Sequence, residues 1–262
     1  LHPGTAPLLI SFPHVGPHVP PTLPARLTPK AREVHDTDWH LPRLYDFARG
    51  LGASLLIATH SRYVIDLNRP PDGASLYPGQ SVTALCPVDD FDGESIHLDV
   101  ADEPGAQEIA ERRAAIWQPY HDALAAELAR IKAAHGVAGL WDAHSIRSVL
   151  PRFFEGKLPD LNLGTANGES CDPALAQELL QIAEAAPGYT AVLNGRFKGG
   201  HITRHYGQPG QGVHAVQLEM TQCSYMQECL PFDYLPERAV QVQPHLQRML
   251  AAALDFARAS RI

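Results

Sequence analysis

Five short apolar runs punctuate the chain, and each ends in a cluster of His, Asp, Glu, Asn or Arg. LLISFPH closes on His14, SLLIATHSRYVIDLNR on Asn68 and Arg69, VAGLWDAH on Asp142 and His144, TAVLNGR on Asn194 and Arg196, and VHAVQLEM on Glu219. Runs this short, apolar throughout rather than alternating, read as strands buried on both faces. Helical patterns separate them. Residues 28–50 open on Thr28 and Pro29, a cap and first-turn pair, and stop at Gly50 and Gly52, which predicts a helix joining the first two strands. Residues 104–136 carry AERRAAIWQPYHDALAAELARIKAAHG, a helix that Pro119 should kink and Gly136 should end. Asp172 and Pro173 open another helix through Ala186, and Pro236 starts a last one that runs to near Ala259. The alternation predicts an α/β fold with a mostly parallel or mixed central sheet and helices on both faces. Ligands of such sheets bind beyond the carboxyl ends of the strands. The polar clusters therefore outline a site.

Composition narrows what that site can serve. The 262 residues, 45% of them hydrophobic, can bury one large core, and we expect a single domain over 1–262. No apolar stretch approaches the roughly 20 residues that span a bilayer, and no basic-then-apolar leader is visible, so a soluble, cytoplasmic protein is expected. Leu1 at the start leaves the true N-terminus open. Cys86, Cys171, Cys223 and Cys229 form no CxxC pair and are expected to be buried thiols. A net charge of −8 excludes the basic stripe that nucleic acids or anionic membranes require, which leaves a small molecule as the partner. The oligomeric state is not encoded in any visible pattern.

His14 follows the first run in FPHVGPHVP, where Gly16 permits a sharp exit. A histidine held there is either a metal ligand or a loop-capping hydrogen bonder. His18 would complete an HxxxH pair, but Pro17 and Pro20 exclude a regular helix. In HDTDWH, Asp36 and Asp38 sit where acids favour a helix start, yet with His35 and His40 beside them they also form a zinc-compatible oxygen and nitrogen set. His144 has Asp142 two residues before it, a carboxylate suited to orienting a metal-bound imidazole. Ser145 lacks the glycines of a nucleophile elbow, so a Ser-His-Asp triad does not follow. Arg62, Asn68 and Arg69 suit carboxylate capture, with an ion pair to Asp66 as the plainer alternative. GRFKGGHITRHYG brings Arg196, Lys198, His201, Arg204, His205 and Tyr206 into one cationic segment, either an anion site or a surface loop. Glu219 is either a satisfied core carboxylate or a general base.

Taken together, PHVG, DTDWH, SRYVIDLNRP, LWDAHSIRS, NGRFKGGHITRHYG and VHAVQLEM resemble the N-formylglutamate amidohydrolases of bacterial histidine degradation, from about residue 7 to about residue 235. A more distant similarity is to zinc carboxypeptidases and aspartoacylases, where an Asn-Arg pair and an upstream Arg hold the substrate carboxylate and a late Glu is the base. Asn68, Arg69, Arg62 and Glu219 stand in those places. The glutamate ligand that those relatives carry three residues after the first histidine is Pro17 here. The resemblance implies a zinc-carboxypeptidase-like fold and a metal set of His14, Asp38 and His144. Asp38 is preferred to Asp36 because it lies nearer the helix body, where its direction would be fixed. It implies Zn2+, or another divalent transition metal, activating water for attack on a formyl carbon, with Glu219 as base and Arg62 assisting the oxyanion. Asn68, Arg69 and Arg204, with Arg196, His201 and Tyr206, would bind a small dicarboxylate substrate. The implied reaction converts N-formyl-L-glutamate and water to L-glutamate and formate, and another N-acyl amino acid is the alternative substrate.

Overall fold

The computed structural model describes residues 1–76, 79 and 81–260. Its centre is a six-stranded sheet in the order β2-β1-β3-β6-β4-β5. The strands are β1 (Leu8–Phe12), β2 (Ser54–Ile57), β3 (Ala138–Ile146), β4 (Leu161–Gly164), β5 (Ala191–Leu193) and β6 (Val213–Thr221). β1 pairs in parallel with β2 and β3, and β3 pairs in parallel with β6. β4 then runs antiparallel to β6 and carries β5 parallel to itself, so the sheet is mixed.

Helices cover both faces because the strands are apolar on both. On one face Ile10, Phe12, Trp141, Val216 and Leu218 pack against Leu41 and Leu44 of α1 (Leu41–Leu44), Leu175 and Leu179 of α4 (Pro173–Glu184), and Val242, Leu246 and Leu250 of α6 (Pro236–Ala259). On the other, Leu9, Leu56, Leu140 and Ala215 pack against Leu124, Leu128 and Ile131 of α3 (Gln118–His135), with Ile202 from α5 (His201–Tyr206). β3 is buried at all nine positions, which is why its sequence shows no alternation.

The predicted helix over 104–136 is divided. α2 (Ala106–Arg112) passes through a π-helical turn, Arg113–Trp117, into α3. The widened turn ends just before Pro119, whose ring and missing N–H do not fit a regular α-helical interior.

Four expectations are corrected. Residues 28–50 form no continuous helix: short 3-10 turns flank α1, and the left-handed backbone of Val34 (φ 42°) and His40 (φ 63°) breaks the path. Only the first quarter of SLLIATHSRYVIDLNR is strand; from Ala58 the chain turns across the strand ends. β4 was not anticipated, since LNLG is short and carries a polar Asn162 at its centre. Cys229 is exposed and Cys223 half-buried, while Cys86 and Cys171 are buried. Among the described residues no helix is long and apolar enough to cross a membrane.

Candidate functional site

The parallel strands β1, β3 and β6 put polar side chains on one face near their carboxyl ends. Ser11 lies in register with Asp142, and Asp142 with Gln217; two residues on, His144 lies in register with Glu219. Positions two apart on a strand share a face, so Asp142, His144, Gln217 and Glu219 all point to the side that α3 covers lower down. α3 closes the floor there, with the Tyr120 hydroxyl 3.0 Å from Ser11 Oγ. Beyond that floor a small cleft of about 70 Å³ opens, lined by His14, Arg62, His144, Glu219, Arg69 and Arg196 among others.

His14 enters the cleft as the chain leaves β1. Gly16 allows this exit, because a Cβ there would lie 2.3 Å from the backbone of Thr59, where His18 N–H donates to the Thr59 carbonyl. The Asp38 N–H donates to the His14 carbonyl at 3.0 Å, which ties the 36–40 loop beside the histidine. Asp38 Oδ2 consequently lies 3.8 Å from His14 Nδ1 and 3.2 Å from His144 Nδ1. Asp36 goes elsewhere: its Oδ2 accepts from Tyr63 OH and Phe91 N, both at 2.8 Å.

His14, Asp38 and His144 are all buried, and one ligand atom from each lies within 4.8 Å of the others. Ligands on tetrahedral bonds of about 2.0–2.1 Å are about 3.3 Å apart, so the observed separations fit. The outward nitrogens are already committed. His14 Nε2 donates to Asp66 Oδ1 at 2.7 Å, and His144 Nε2 lies 3.1 Å from Asp142 Oδ2. These carboxylates fix the rings with each Nδ1 turned inward, the arrangement that metal-ligating histidines use. The charges agree. Buried Asp36, Asp38, Asp66 and Glu219 act on the guanidinium of Arg62, and Arg69 also acts on Asp66. Carboxyl groups outnumber the guanidinium groups buried around the site, a setting that favours a bound cation. Burial, and then Arg62, push His14 down toward the neutral, ligating form. His144 is pulled the other way: burial disfavours its charge, but Asp142 and Asp38 outweigh it.

Asp66 joins two parts of the site. Its Oδ1 accepts from His14 Nε2 and from Asn68 N at 2.9 Å, and its Oδ2 accepts from Arg62 Nη2 at 2.7 Å. Burial disfavours its charge, yet His14, Arg62 and Arg69 hold it well below the usual carboxylate range. Sequence reading assigned Asp66 only a possible ion pair. The available signal was an acid enclosed by apolar residues in VIDLN, two positions before Asn68, the spacing of an Asx turn. Arg62 Nη1 also reaches to 3.3 Å from His14 Nδ1, and its Nε is buried with no hydrogen-bond partner among the described residues.

Glu219 lines the cleft, and among the described residues its carboxyl has no hydrogen-bond partner. Burial pushes its pKa up, against the pull of the neighbouring His144. A carboxyl that is desolvated and left without donors is poised to take a proton.

The remaining sequence candidates separate. Arg69 lines the cleft, steadied by Thr83 O at 3.0 Å and Thr83 Oγ1 at 3.1 Å. Arg196 lines it too, donating to Phe153 O at 2.7 Å and Ser81 O at 3.1 Å. Asn68 borders the cleft with its amide held among the site residues: Nδ2 lies 2.9 Å from His144 Nε2 and donates to Asp142 Oδ2 at 3.2 Å, and Oδ1 accepts from Ile202 N at 2.8 Å. Gly200 accommodates that amide, since a Cβ there would lie 2.4 Å from Asn68 Nδ2. Arg204, His201 and Tyr206 are outside the cleft lining. Arg204 Nε donates to Gly199 O at 2.8 Å, the Tyr206 hydroxyl meets His121 Nδ1 at 2.9 Å, and the His201 ring lies 5.7 Å from Trp117. Asn194 is outside the cleft lining, and its amide is spent on Thr165: Oδ1 accepts from Thr165 N and Nδ2 donates to Thr165 Oγ1, both at 2.8 Å.

Residues 6–226 match the family model described as N-formylglutamate amidohydrolase. The N-formylglutamate deformylase of Pseudomonas aeruginosa is 54% identical over 97% of this chain and 95% of its own, and that of Pseudomonas putida is 51% identical over the same shares. The crystal structure of N-formylglutamate amidohydrolase from Ralstonia eutropha aligns with a TM-score of 0.75 at 24% identity, over 98% of this chain and 96% of that one. A gene product of Agrobacterium tumefaciens aligns at 0.73 and 21% identity, over 96% and 92%. At these identities the two structures show a shared fold.

Proposed function

The chain belongs to the N-formylglutamate amidohydrolase family, and on that premise we propose that it hydrolyses N-formyl-L-glutamate to L-glutamate and formate, the closing step of a histidine-degradation route. The observation that carries this reading is the His14, Asp38 and His144 donor set at one cleft, with Glu219, whose carboxyl has no hydrogen-bond partner among the described residues, and two arginines, Arg69 and Arg196, in its lining. We assign zinc as the resident ion, since two imidazoles and one carboxylate are a common zinc set that leaves a position open, and it supplies Lewis acidity toward a carbonyl oxygen and toward water.

The chain's own groups do the rest. Asp66 and Asp142 keep His14 and His144 in the ligating tautomer. Glu219 takes the proton of the attacking water on its carboxylate and returns it to the glutamate nitrogen as the C–N bond breaks. Arg62, held by Asp66 beside His14, offers donors where the formyl oxygen gathers negative charge. Arg69 and Arg196 orient the two substrate carboxylates, Asn68 acts by shaping the cleft wall, and His201, Tyr206 and Arg204 support the segment that carries Arg196.

Formate and glutamate release from N-formyl-L-glutamate, measured before and after chelation and with zinc restored, tests the reading. Metal-dependent turnover that Glu219→Gln lowers by about 10²–10⁴-fold, with zinc still bound, supports it. Absence of turnover with any divalent ion rejects it.

A further inference from the structure

The cleft has an apolar side, and its position relative to the reacting centre is set by two residues. Ile146 follows His144 by two positions on β3, so it shares the histidine's face; it is buried and lines the same cleft. Phe91 is buried on the opposite loop and also lines the cleft. Its ring lies 4.5 Å from the Arg62 guanidinium carbon, and that guanidinium is 3.3 Å from His14 Nδ1. One side chain therefore separates each proposed metal histidine from this wall at most. Of the arginines suited to the glutamate carboxylates, Arg69 is steadied by Thr83, away from this wall, while Arg196 is held by Ser81 and by the backbone of Phe153, and is joined to Phe91 by way of the Phe153 ring.

The wall is rigid. Phe91 N–H donates to the buried Asp36 at 2.8 Å, the Phe91 ring meets Phe153 edge-on at 5.3 Å, and Ile146 and Phe91 share one cluster with Leu150 and Leu158. Packed side chains of this kind do not yield to an extra carbon without strain. Neither side chain offers a polar atom, so the wall cannot hold a carboxylate. What it can contact is the substituent on the carbonyl carbon.

Building on the proposed reaction, we propose that Phe91 and Ile146 set the acyl limit: a hydrogen on the carbonyl carbon fits beside them, and a methyl or ethyl group does not. One methylene in a closed apolar pocket changes kcat/KM by about 10- to 200-fold, so N-acetyl-L-glutamate should be poorer than the formyl substrate by that order.

The test is kcat/KM for N-formyl-, N-acetyl- and N-propionyl-L-glutamate with the zinc-loaded native protein, Ile146→Ala, Ile146→Val and Phe91→Leu. The ratio of acetyl to formyl is the readout, because a loss of Arg62 positioning or of bound zinc lowers both substrates together and cancels. Ile146→Ala and Phe91→Leu should each raise the ratio by at least tenfold, and Ile146→Val, which removes one carbon and folds with least disturbance, by about threefold. A native protein that cleaves the acetyl substrate as well as the formyl one overturns the inference. Ratios within twofold of native in Ile146→Val and Phe91→Leu also overturn it, while formyl turnover by the native protein leaves the deformylase reading standing. Failure of the native protein on all three substrates rejects that reading itself, and the inference with it.

Discussion

Replacing Asp66 by asparagine keeps the shape of the side chain and removes its charge. The carboxylate accepts three hydrogen bonds, from His14 Nε2, Asn68 N and Arg62 Nη2. An amide has one acceptor and one donor end, so whichever way Asn sits, its NH2 meets an N–H of Arg62 or of His14 and Asn68. Arg62 is then a buried cation without its partner. Breaking such a pair from one side costs about 3–5 kcal/mol, and the bonds that survive on the amide oxygen place the Asp66→Asn loss near 3 kcal/mol. Removing a carboxylate from a negative cluster could instead relieve repulsion. The depressed pKa of Asp66 decides between them: burial opposes its charge, but His14, Arg62 and Arg69 more than offset that, so the anion is net stabilised. Metal affinity should drop as well, by about 10–100-fold, because His14 loses the acceptor that fixes its tautomer. Urea unfolding of the metal-stripped protein measures the first quantity and chelator competition the second. A stability loss under about 1 kcal/mol together with metal affinity within threefold of native would refute the view that Asp66 organises both His14 and Arg62.

Three further outcomes follow from the same geometry. Arg69→Ala should raise KM for N-formyl-L-glutamate by about tenfold or more with a smaller change in kcat, as loss of a charged hydrogen bond worth about 1.5–3 kcal/mol implies; a KM within twofold of native in steady-state assays removes Arg69 from carboxylate binding. Asp160 ties β4, β5 and β6 together through Thr190 N, Thr190 Oγ1, Thr221 Oγ1 and Lys157. Burial disfavours its charge, but Lys157 and Thr190 lower its pKa overall. A depressed carboxyl stabilises the fold above its unfolded pKa of about 3.9 and loses that contribution as pH falls through the folded value. The urea stability gap between native protein and Asp160→Ala, about 2 kcal/mol at pH 7, should therefore shrink below about pH 4, and a constant gap down to pH 2.5 would show that the charge is irrelevant. Gly200→Ala places a methyl 2.4 Å from the Asn68 amide and should destabilise by about 1–3 kcal/mol; an unchanged thermal midpoint would mean that Asn68 moves away freely.

By itself the sequence determined where the chain is buried and what chemistry stands at the ends of the buried runs. LLISF, SLLI, AGLWDAHSI and VHAVQLEMT are too apolar to lie anywhere except inside a covered sheet, and they form β1, β2, β3 and β6. His14, His144 and Glu219 were legible as candidates because an ionisable residue closing such a run has no cheap place to go. Periodicity could not show direction or partnership. TAVLNGR reads like the other runs, but its strand runs against β6 at the sheet edge, Asn194 is spent on Thr165, and Arg196 alone of the pair lines the cleft. The segment 28–50 carries helix signals that lose to longer-range demands, since the tie from Asp38 N to the His14 carbonyl requires a backbone no helix permits. The choice between Asp38 and Asp36, the joining of His14 to Arg62 through Asp66, and the spending of the Asn68 amide on Asp142 and Ile202 are all pairings across tens of residues. Such pairings are decided by which buried donors and acceptors the folded sheet brings within hydrogen-bond reach, and local sequence spacing does not carry that information.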